Sequence, residues 1–302
     1  MSQGQRTGGG SVSSRVRVGL LQMKSEPSPA ENLQRALRGI DKAAQRGATV
    51  ICLEELFLTP YFPQTESAKH FDLAEPVPGP TTRALAEAAR KHKVVILGSI
   101  FEKRADGIYH NTAVLIDSKG KLLGKYRKMH IPDDPGFYEK FYLTPGDLGF
   151  QSFSTPHGRI GMLVCWDQWF PEAARLTALS GAQILVYPTA IGWAAGEPPK
   201  VRERQRSAWE LIQRSHAVAN GVFVCAVNRV GREGKIKFWG SSFVADPFGG
   251  IVAKAGPERE EILIADCDLS KIRQTREDWP FLRDRRIDTY GALSSRFLDD
   301  RT

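Results

Sequence analysis

Residues 160–172 read Ile-Gly-Met-Leu-Val-Cys-Trp-Asp-Gln-Trp-Phe-Pro-Glu. The apolar run that ends at Val164 predicts a buried strand, and Pro171 at a first helical position predicts the start of a helix. Cys165 then lies in a turn at the end of a rigid strand, which is a common location for a nucleophile. The alternative for a free thiol is burial in the core as a structural residue.

Strands and helices alternate outward from this segment in both directions. Apolar runs and amphipathic spacing predict helices over 30–45, 81–91, 171–179 and 203–219, and strands over 17–23, 48–53, 94–101, 109–116, 121–126, 159–164, 183–187, 221–227, 238–245, 250–255 and 261–266. This alternation, with a hairpin over 109–126, predicts an α/β protein in which helices cover sheets.

Length and composition are those of a globular protein. The chain has 302 residues, of which 41% are hydrophobic, and no apolar run is long enough for a membrane span. Residues 1–14 are predicted to form a disordered tail without the apolar centre of a signal peptide. We expect a single domain over 15–302, ending in an arm from about residue 278 whose aromatic residues suit packing on another subunit or on the protein's own surface.

The charge and the cysteine pattern bear on nucleic-acid binding, metal binding, disulfides and cellular location. The net charge of +8 raises the question of nucleic-acid binding, but the basic residues are interspersed with acidic ones and lack interleaved aromatic side chains. The four cysteines, Cys52, Cys165, Cys225 and Cys267, lie far apart and form no C-x-x-C motif. We therefore expect no disulfide framework, no metal cluster and a reducing, cytoplasmic location.

Two further predicted strands end in charged side chains, one after an apolar run and one at the basic end of the hairpin. Residues 50–57 read Val-Ile-Cys-Leu-Glu-Glu-Leu-Phe, and residues 124–132 read Gly-Lys-Tyr-Arg-Lys-Met-His-Ile-Pro. A carboxylate in an apolar setting is costly unless it is paired or used, so Glu55 is a candidate general base. Lys128 is a candidate cation for stabilising an oxyanion. Taken alone, each is equally typical of a solvated strand end.

His130, in the second of these segments, offers a different mechanism. A pair formed by Cys165 and His130 would match the thiol proteases, in which a histidine takes the proton of the nucleophile. A histidine beside a lysine and an arginine is just as often a structural hydrogen-bonding group. These two interpretations stay open on the residues alone.

Three segments taken together resemble the signatures of the nitrilase superfamily, and they follow that family's order. The segments are 53–57 (Leu-Glu-Glu-Leu-Phe), 126–130 (Tyr-Arg-Lys-Met-His) and 164–167 (Val-Cys-Trp-Asp). Residues 75–82 resemble the family's loop before its second helix, and residues 139–146 resemble the segment that carries a second family glutamate. The resemblance covers nearly the whole chain.

The resemblance implies a four-layer α-β-β-α sandwich without a metal or an organic cofactor, in a homo-oligomer built on a dimer. It implies that Cys165 is the nucleophile and Glu55 the general base. The ammonium of Lys128 and the backbone N–H of Trp166 would hold the oxyanion. Glu139 would keep Lys128 charged and help to position the substrate.

Within the superfamily, the chain most resembles the amidohydrolases of N-carbamoylputrescine, which act in polyamine synthesis. The segments behind this likeness are 130–137, 165–175, 187–192 and 281–286. The likeness implies hydrolysis of a small ureido or amide substrate to an amine, carbon dioxide and ammonia through a cysteine thioester. The amine end would need an acidic or aromatic site, for which we expect Glu197, Trp169 and Trp193.

The chain departs from its relatives at two places. Glu54 stands where the family often has proline or glutamine, although the Glu-Leu-Phe sequence favours Glu55 as the base. Residues 193–196 (Trp-Ala-Ala-Gly) intervene between Gly192 and Glu197, where related sequences go almost directly to Glu-Pro. We expect this loop to contact the distal end of the substrate.

Several functions remain as alternatives. An N-carbamoyl-amino-acid amidase, an aliphatic amidase and a nitrilase would share the same machinery, and an amino-acid substrate would use arginines such as Arg175, Arg202 or Arg204. A non-catalytic scaffold and a basic nucleic-acid-binding protein belong to other classes. The reactive residues present favour the enzyme, with no nucleic-acid or membrane partner.

Overall fold

The computed structural model describes residues 15–299, so the tail predicted over 1–14 lies outside the described residues. The helices are α1 Pro29–Gln45, α2 Pro80–His92, α3 Pro171–Leu179, α4 Pro199–Asn220 and α5 Ser270–Asp278. The strands are β1 Arg15–Gln22, β2 Val50–Leu53, β3 Val95–Ala105, β4 Ile108–Ile116, β5 Leu122–Arg127, β6 Asp133–Asp134, β7 Phe137–Tyr138, β8 Ser152–Thr155, β9 Gly158–Met162, β10 Ile184–Thr189, β11 Gly192–Ala194, β12 Phe223–Asn228, β13 Val230–Glu233, β14 Ile236–Trp239, β15 Phe243–Ala245, β16 Ile251–Lys254 and β17 Glu261–Asp268. Short 3₁₀ turns cover Phe62–Gln64, Ala68–Leu73, Glu139–Phe141, Cys165–Trp169 and Tyr290–Ser294.

Two six-stranded sheets share one pattern of strand directions. The first has the order β17-β1-β2-β3-β4-β5, and the second has the order β16-β15-β12-β10-β9-β8. Each contains three adjacent parallel strands, β1-β2-β3 in the first sheet and β9-β10-β12 in the second, flanked by antiparallel strands. Because β5 is antiparallel to β4 and β4 to β3, strands β2 and β5 end at the same edge of the first sheet.

The sheets pack face to face and helices cover their outer sides. Val18, Cys52 and Leu97 of the first sheet belong to one buried cluster with Val186 and Cys225 of the second. Helices α1 and α2 pack on the first sheet, and α3 and α4 pack on the second. Central strands are thus buried on both faces, which explains why β2, β10 and β12 read as continuous apolar runs. The predicted α-β-β-α sandwich is confirmed.

Helix termini follow their sequence signals. Ser28 caps α1 by accepting a hydrogen bond from the backbone N–H of Glu31, and Pro29 takes the first helical position. Helix α3 begins at Pro171, as the proline at this position predicted. Within residues 15–299, no helix is long and apolar enough to cross a membrane.

Three local features differ from what the sequence indicated, for identifiable reasons. The strand predicted over 238–245 is two strands, because the backbone takes left-handed φ angles of +50° at Gly240 and +59° at Ser241. The short helix α5 was missed because it buries a single apolar side chain, Ile272, on a charged background. The loop predicted over 193–196 begins inside strand β11, which pairs with β14.

Candidate active site

Three strand ends bring the predicted reactive residues together. Glu55 follows β2, Lys128 follows β5 at the same edge of the first sheet, and Cys165 follows β9 of the facing sheet. The ammonium Nζ of Lys128 donates to Glu55 Oε1 at 2.9 Å and to Glu139 Oε2 at 2.6 Å. The side chains of Glu55 and Lys128 are fully buried. This geometry selects Glu55 over its neighbour Glu54 as the carboxylate that meets the lysine.

Lys128 is held as a cation in a dry environment. Burial lowers the pKa of its ammonium, but the negative charges of Glu139 and Glu55 outweigh burial and raise the pKa above its usual value. A positive charge that stays fixed in a water-excluded site can stabilise an oxyanion without reorganising.

Glu139 is fixed on both carboxylate oxygens. Oε2 accepts from Lys128, and Oε1 accepts from the hydroxyl of Tyr61 at 2.6 Å. Burial raises the pKa of the Glu139 carboxyl, and the positive charge of Lys128 opposes that effect. The sequence analysis missed Tyr61, which lies in a loop without a motif of its own.

Cys165 occupies a strained position at the start of a 3₁₀ turn. Its backbone φ is +42°, in the left-handed region that non-glycine residues avoid. Burial and the negative charge of Glu55 raise the pKa of the Cys165 thiol well above its usual value, against the opposing effect of Lys128. The resting residue is therefore a neutral thiol, so a nearby base must take its proton before it can attack.

The turn after Cys165 presents a backbone donor. The first hydrogen bond of this 3₁₀ turn runs from Asp167 N to Val164 O at 3.0 Å, so the N–H of Trp166 precedes the bonded part of the turn. Trp166 lines the same cavity as Cys165. The role of the Trp166 N–H as an oxyanion donor stays a prediction, with which this position in the turn is compatible.

The side chain of His130 contacts Asp167 and Phe170 rather than acting as the base of Cys165. Its Nδ1 donates to Asp167 Oδ1 at 2.7 Å, and its ring stacks on Phe170 with the ring centres 3.7 Å apart. Asp167 also accepts from the hydroxyl of Tyr126 and from the backbone of Val164. His130 is thus part of a hydrogen-bonded frame around the turn that carries Cys165, and its ring nitrogen Nδ1 is engaged by Asp167 rather than by the thiol.

The segment of Glu55 is held from the opposite half of the chain. Leu56 has a φ of +46°, and the guanidinium of Arg229 donates to the carbonyl oxygens of Glu55 at 2.6 Å and Leu56 at 3.1 Å. Arg229 also pairs with Glu233 and is fully buried. Burial raises the pKa of the Glu54 carboxyl to about 8, against the lowering effect of Arg229.

A cavity of about 520 Å³ opens beside the reactive cluster. It is lined by Pro132, Asp134, Pro135, Phe137, Glu139, Cys165, Trp166, Trp169, Ala190, Ile191, Gly192, Ala194, Glu197, Gln205, Ala208 and Trp239. The carboxylate oxygen Oε2 of Glu197 and the indole nitrogen of Trp169 are buried without a hydrogen-bond partner among the described residues. Two of the three predicted substrate contacts, Glu197 and Trp169, therefore line this cavity.

Trp193, the third residue predicted to contact the substrate, is not among the residues that line the cavity. Gly192 and Ala194 line the cavity, and side chains alternate along strand β11, so Trp193 points to the opposite face. Its ring packs against Trp239 with the ring centres 5.2 Å apart, and its indole N–H donates to the carbonyl of Arg202 at 3.1 Å. Trp193 supports Trp239, which does line the cavity.

Two further buried polar residues, Asn111 and Arg229, were not predicted from the sequence, and each lies inside an apolar strand or directly after it. Asn111 interrupts the apolar strand β4, and Arg229 follows β12 just as Cys165 follows β9. The same criterion that identified Glu55 and Lys128 would have found both. Among the described residues, no group of three or more histidine, cysteine or acidic side chains is arranged to hold a metal ion.

Comparison with known proteins gives consistent findings. Residues 17–277 match the family model described as carbon-nitrogen hydrolase. The chain is 43% identical over 295 residues to the N-carbamoylputrescine amidase of Oryza sativa subsp. japonica, covering 95% of this chain and 97% of that protein. It is 37% identical to the citrullinase of Francisella tularensis subsp. tularensis, covering 93% and 99% respectively.

Among solved structures, the chain is similar to the carbon-nitrogen hydrolase from Helicobacter pylori G27. The two are 46% identical, with a TM-score of 0.92, and the match covers 94% of this chain and 100% of that one. Both sheets and the covering helices are thus matched at a level where the sequences are also clearly related.

Proposed function

The chain belongs to the carbon-nitrogen hydrolase family, and we propose that it hydrolyses N-carbamoylputrescine to putrescine, carbon dioxide and ammonia. One observation carries the choice of substrate. Within residues 15–299, the charged side chains that line the cavity beside Cys165 are all carboxylates, those of Asp134, Glu139 and Glu197. Such a lining suits a substrate that carries a positive charge.

The first half of the proposed reaction forms a thioester. Glu55 takes the proton of the Cys165 thiol, and the sulfur attacks the ureido carbon. The oxyanion of the tetrahedral intermediate lies between the ammonium of Lys128 and the N–H of Trp166, each worth about 10²–10³-fold in rate. Glu55 then protonates the nitrogen that leaves as ammonia, and the carbon–nitrogen bond breaks.

The second half releases the amine. Glu55 takes a proton from water, and the hydroxide attacks the carbon of the N-alkylcarbamoyl thioester on Cys165. Collapse breaks the carbon–sulfur bond, and the sulfur regains its proton through Glu55. The resulting N-alkylcarbamic acid loses carbon dioxide and leaves putrescine. Glu139 keeps Lys128 charged and in place throughout.

The distal end of the cavity supports a cationic substrate over an amino acid. The unpaired Oε2 of Glu197 would bind the primary ammonium, with the rings of Trp166 and Trp169 beside the aliphatic chain. The arginines that an amino-acid substrate would use lie elsewhere. Arg175 lines a separate cavity, and Arg202 lies over the ring of Trp193 at 5.8 Å.

Ammonia release over a panel of substrates tests the proposal. The panel holds N-carbamoylputrescine, citrulline, N-carbamoyl-D-amino acids, simple amides and nitriles at matched concentrations. We expect kcat/KM for N-carbamoylputrescine to exceed that for every other member by at least about tenfold, the lower end of the worth of one hydrogen bond to a charged group. A higher kcat/KM for citrulline would assign the cavity to an amino acid instead.

The protein is also proposed to form a homo-oligomer through its C-terminal arm. Exposed apolar side chains concentrate there and include Trp279, Phe281, Ile287, Leu293, Phe297 and Leu298. A cluster of this size on a surface is typical of a protein interface. Light scattering should give a mass that is a multiple of the chain mass, and truncation of the chain before Trp279 should lower that multiple.

The four free cysteines also support a reducing, cytoplasmic location.

A further inference from the structure

Asn111 contacts two of the three residues to which the proposed reaction is assigned. It is fully buried in strand β4, between the strands that lead to Glu55 and Lys128. Its side-chain Nδ2 donates to Glu55 Oε1 at 2.6 Å, and its backbone carbonyl accepts from the backbone N–H of Lys128 at 2.9 Å. A single residue thus fixes both the side chain of the base and the backbone of the cation.

The orientation of the Asn111 amide is set by a chain of hydrogen bonds. The backbone N–H of Leu56 can only donate, and it donates to Ser99 Oγ at 3.2 Å. The hydroxyl of Ser99 donates in turn to Asn111 Oδ1 at 2.7 Å. Because the Glu55 carboxylate oxygen is the acceptor, the amide N–H faces Glu55, and the amide oxygen is left to accept from Ser99. Each group in this chain has a defined role as donor or acceptor.

We propose that Asn111, oriented by Ser99, is the positioning residue that makes Oε2 of Glu55 the oxygen that exchanges protons with Cys165. Oε1 is already occupied as an acceptor by Lys128 Nζ and Asn111 Nδ2. Oε2 is buried without a partner among the described residues. The Cys165 proton passes to Oε2 and then to the leaving nitrogen, so no further reactant is needed.

This assignment rests on the proposed role of Glu55 as the base, but not on the identity of the substrate. A donor to an ionised carboxylate favours its charged form. Removing the Asn111 donor therefore makes Glu55 harder to ionise and frees its two oxygens to exchange places. Both effects lower the rate of proton transfer and leave substrate binding unchanged.

The variants Asn111→Ala and Ser99→Ala test the assignment, with Thr112→Val as the matched control. Thr112 is the next residue of β4, is equally buried and bonds to Glu102. We expect Asn111→Ala to lower kcat about 10²-fold, to change KM less than threefold, and to move the acidic limb of the kcat profile to higher pH. Ser99→Ala should move the limb in the same direction by less, and Thr112→Val should not move it.

A second readout needs no substrate. The rate of alkylation of Cys165 by iodoacetamide is measured across pH in the free enzyme, and its inflection should move upward in Asn111→Ala and Ser99→Ala. If neither variant moves this inflection or the acidic limb, the assignment is wrong, whatever their loss of activity. If N-carbamoylputrescine is not hydrolysed while the inflection still moves, the substrate proposal fails and the role of Asn111 stands.

If Asn111→Ala does not fold, Ser99→Ala and the isosteric Asn111→Asp decide. We expect Asn111→Asp to move the inflection furthest, because it places a second carboxylate against Glu55.

Discussion

The two ends of the cavity are built differently. At the reaction end, both carboxylate oxygens of Glu139 and two of the three N–H donors of Lys128 are hydrogen-bonded to side chains held by the two-sheet core. At the distal end, Glu197 lies between β11 and α4, and its Oε2 has no partner within the described residues. A rigid, hydrogen-bonded end suits bond making and breaking, and an unsatisfied end awaits a ligand. The difference predicts that substitutions at the first end affect kcat and those at the second affect KM.

The largest effect is expected at the nucleophile. Cys165→Ala should lower ammonia release by at least about 10⁴-fold, because no thioester can form. Its melting temperature should stay close to that of the wild type, since only one sulfur atom is removed. Cys267→Ala, which removes another buried thiol, is the control and should keep its activity. Full activity in Cys165→Ala would show that the reaction does not pass through a thioester on Cys165.

The second effect is expected at the ammonium. Lys128→Met should lower kcat about 10²–10³-fold by removing one oxyanion donor, with a smaller effect on KM. It should also destabilise the fold by about 3–5 kcal/mol, because two buried carboxylates lose their partner. Lys125→Met, on the same strand and paired with Glu102, is the control. If Lys128→Met lowers the stability of the fold but leaves kcat unchanged, Lys128 has only a structural role.

The third prediction concerns the distal end. Glu197→Gln should raise KM for N-carbamoylputrescine about tenfold or more, with kcat nearly unchanged and with little effect on an uncharged ureide. Glu203→Gln, at an exposed position of α4, should change neither constant. An equal rise in KM for the charged and uncharged substrates would remove Glu197 from the ammonium site.

The smallest effect is expected one contact away from the reaction end. Tyr61→Phe removes the hydroxyl that holds Glu139, so kcat should fall about fivefold to tenfold, less than the full worth of a hydrogen bond to a charged group because Lys128 still holds Glu139. KM should not change. Tyr142→Phe, whose hydroxyl accepts from Ser67, serves as the control. A rise in KM with kcat unchanged would place Tyr61 on the substrate side.

The sequence predicts the reaction end better than the distal end, and the reason is physical. Glu55, Lys128 and Cys165 each end an apolar strand, so periodicity locates them, and the ordered motifs relate them to one another. The choice between Glu55 and Glu54 needed the structure, because adjacent carboxylates differ only in which one meets the lysine. His130 likewise needed its partner Asp167 to show a structural role.

The distal end depends on features that leave no local pattern. Trp193 was expected to contact substrate, yet pairing of β11 with β14 turns its side chain away from the cavity. At the reaction end, the contact between Asn111 and Ser99 depends in the same way on tertiary pairing, because it crosses neighbouring strands and is fixed by their register. Tertiary pairing therefore decides what the residue types alone leave open.

A crystal structure of Cys165→Ala with N-carbamoylputrescine tests the central claim most directly. The account predicts the ureido carbon beside position 165, with its oxygen within hydrogen-bonding distance of Lys128 Nζ and the N–H of Trp166. The primary ammonium should lie against Glu197 Oε2. A ureido group bound at Glu197, or a substrate bound away from Lys128, would contradict the account.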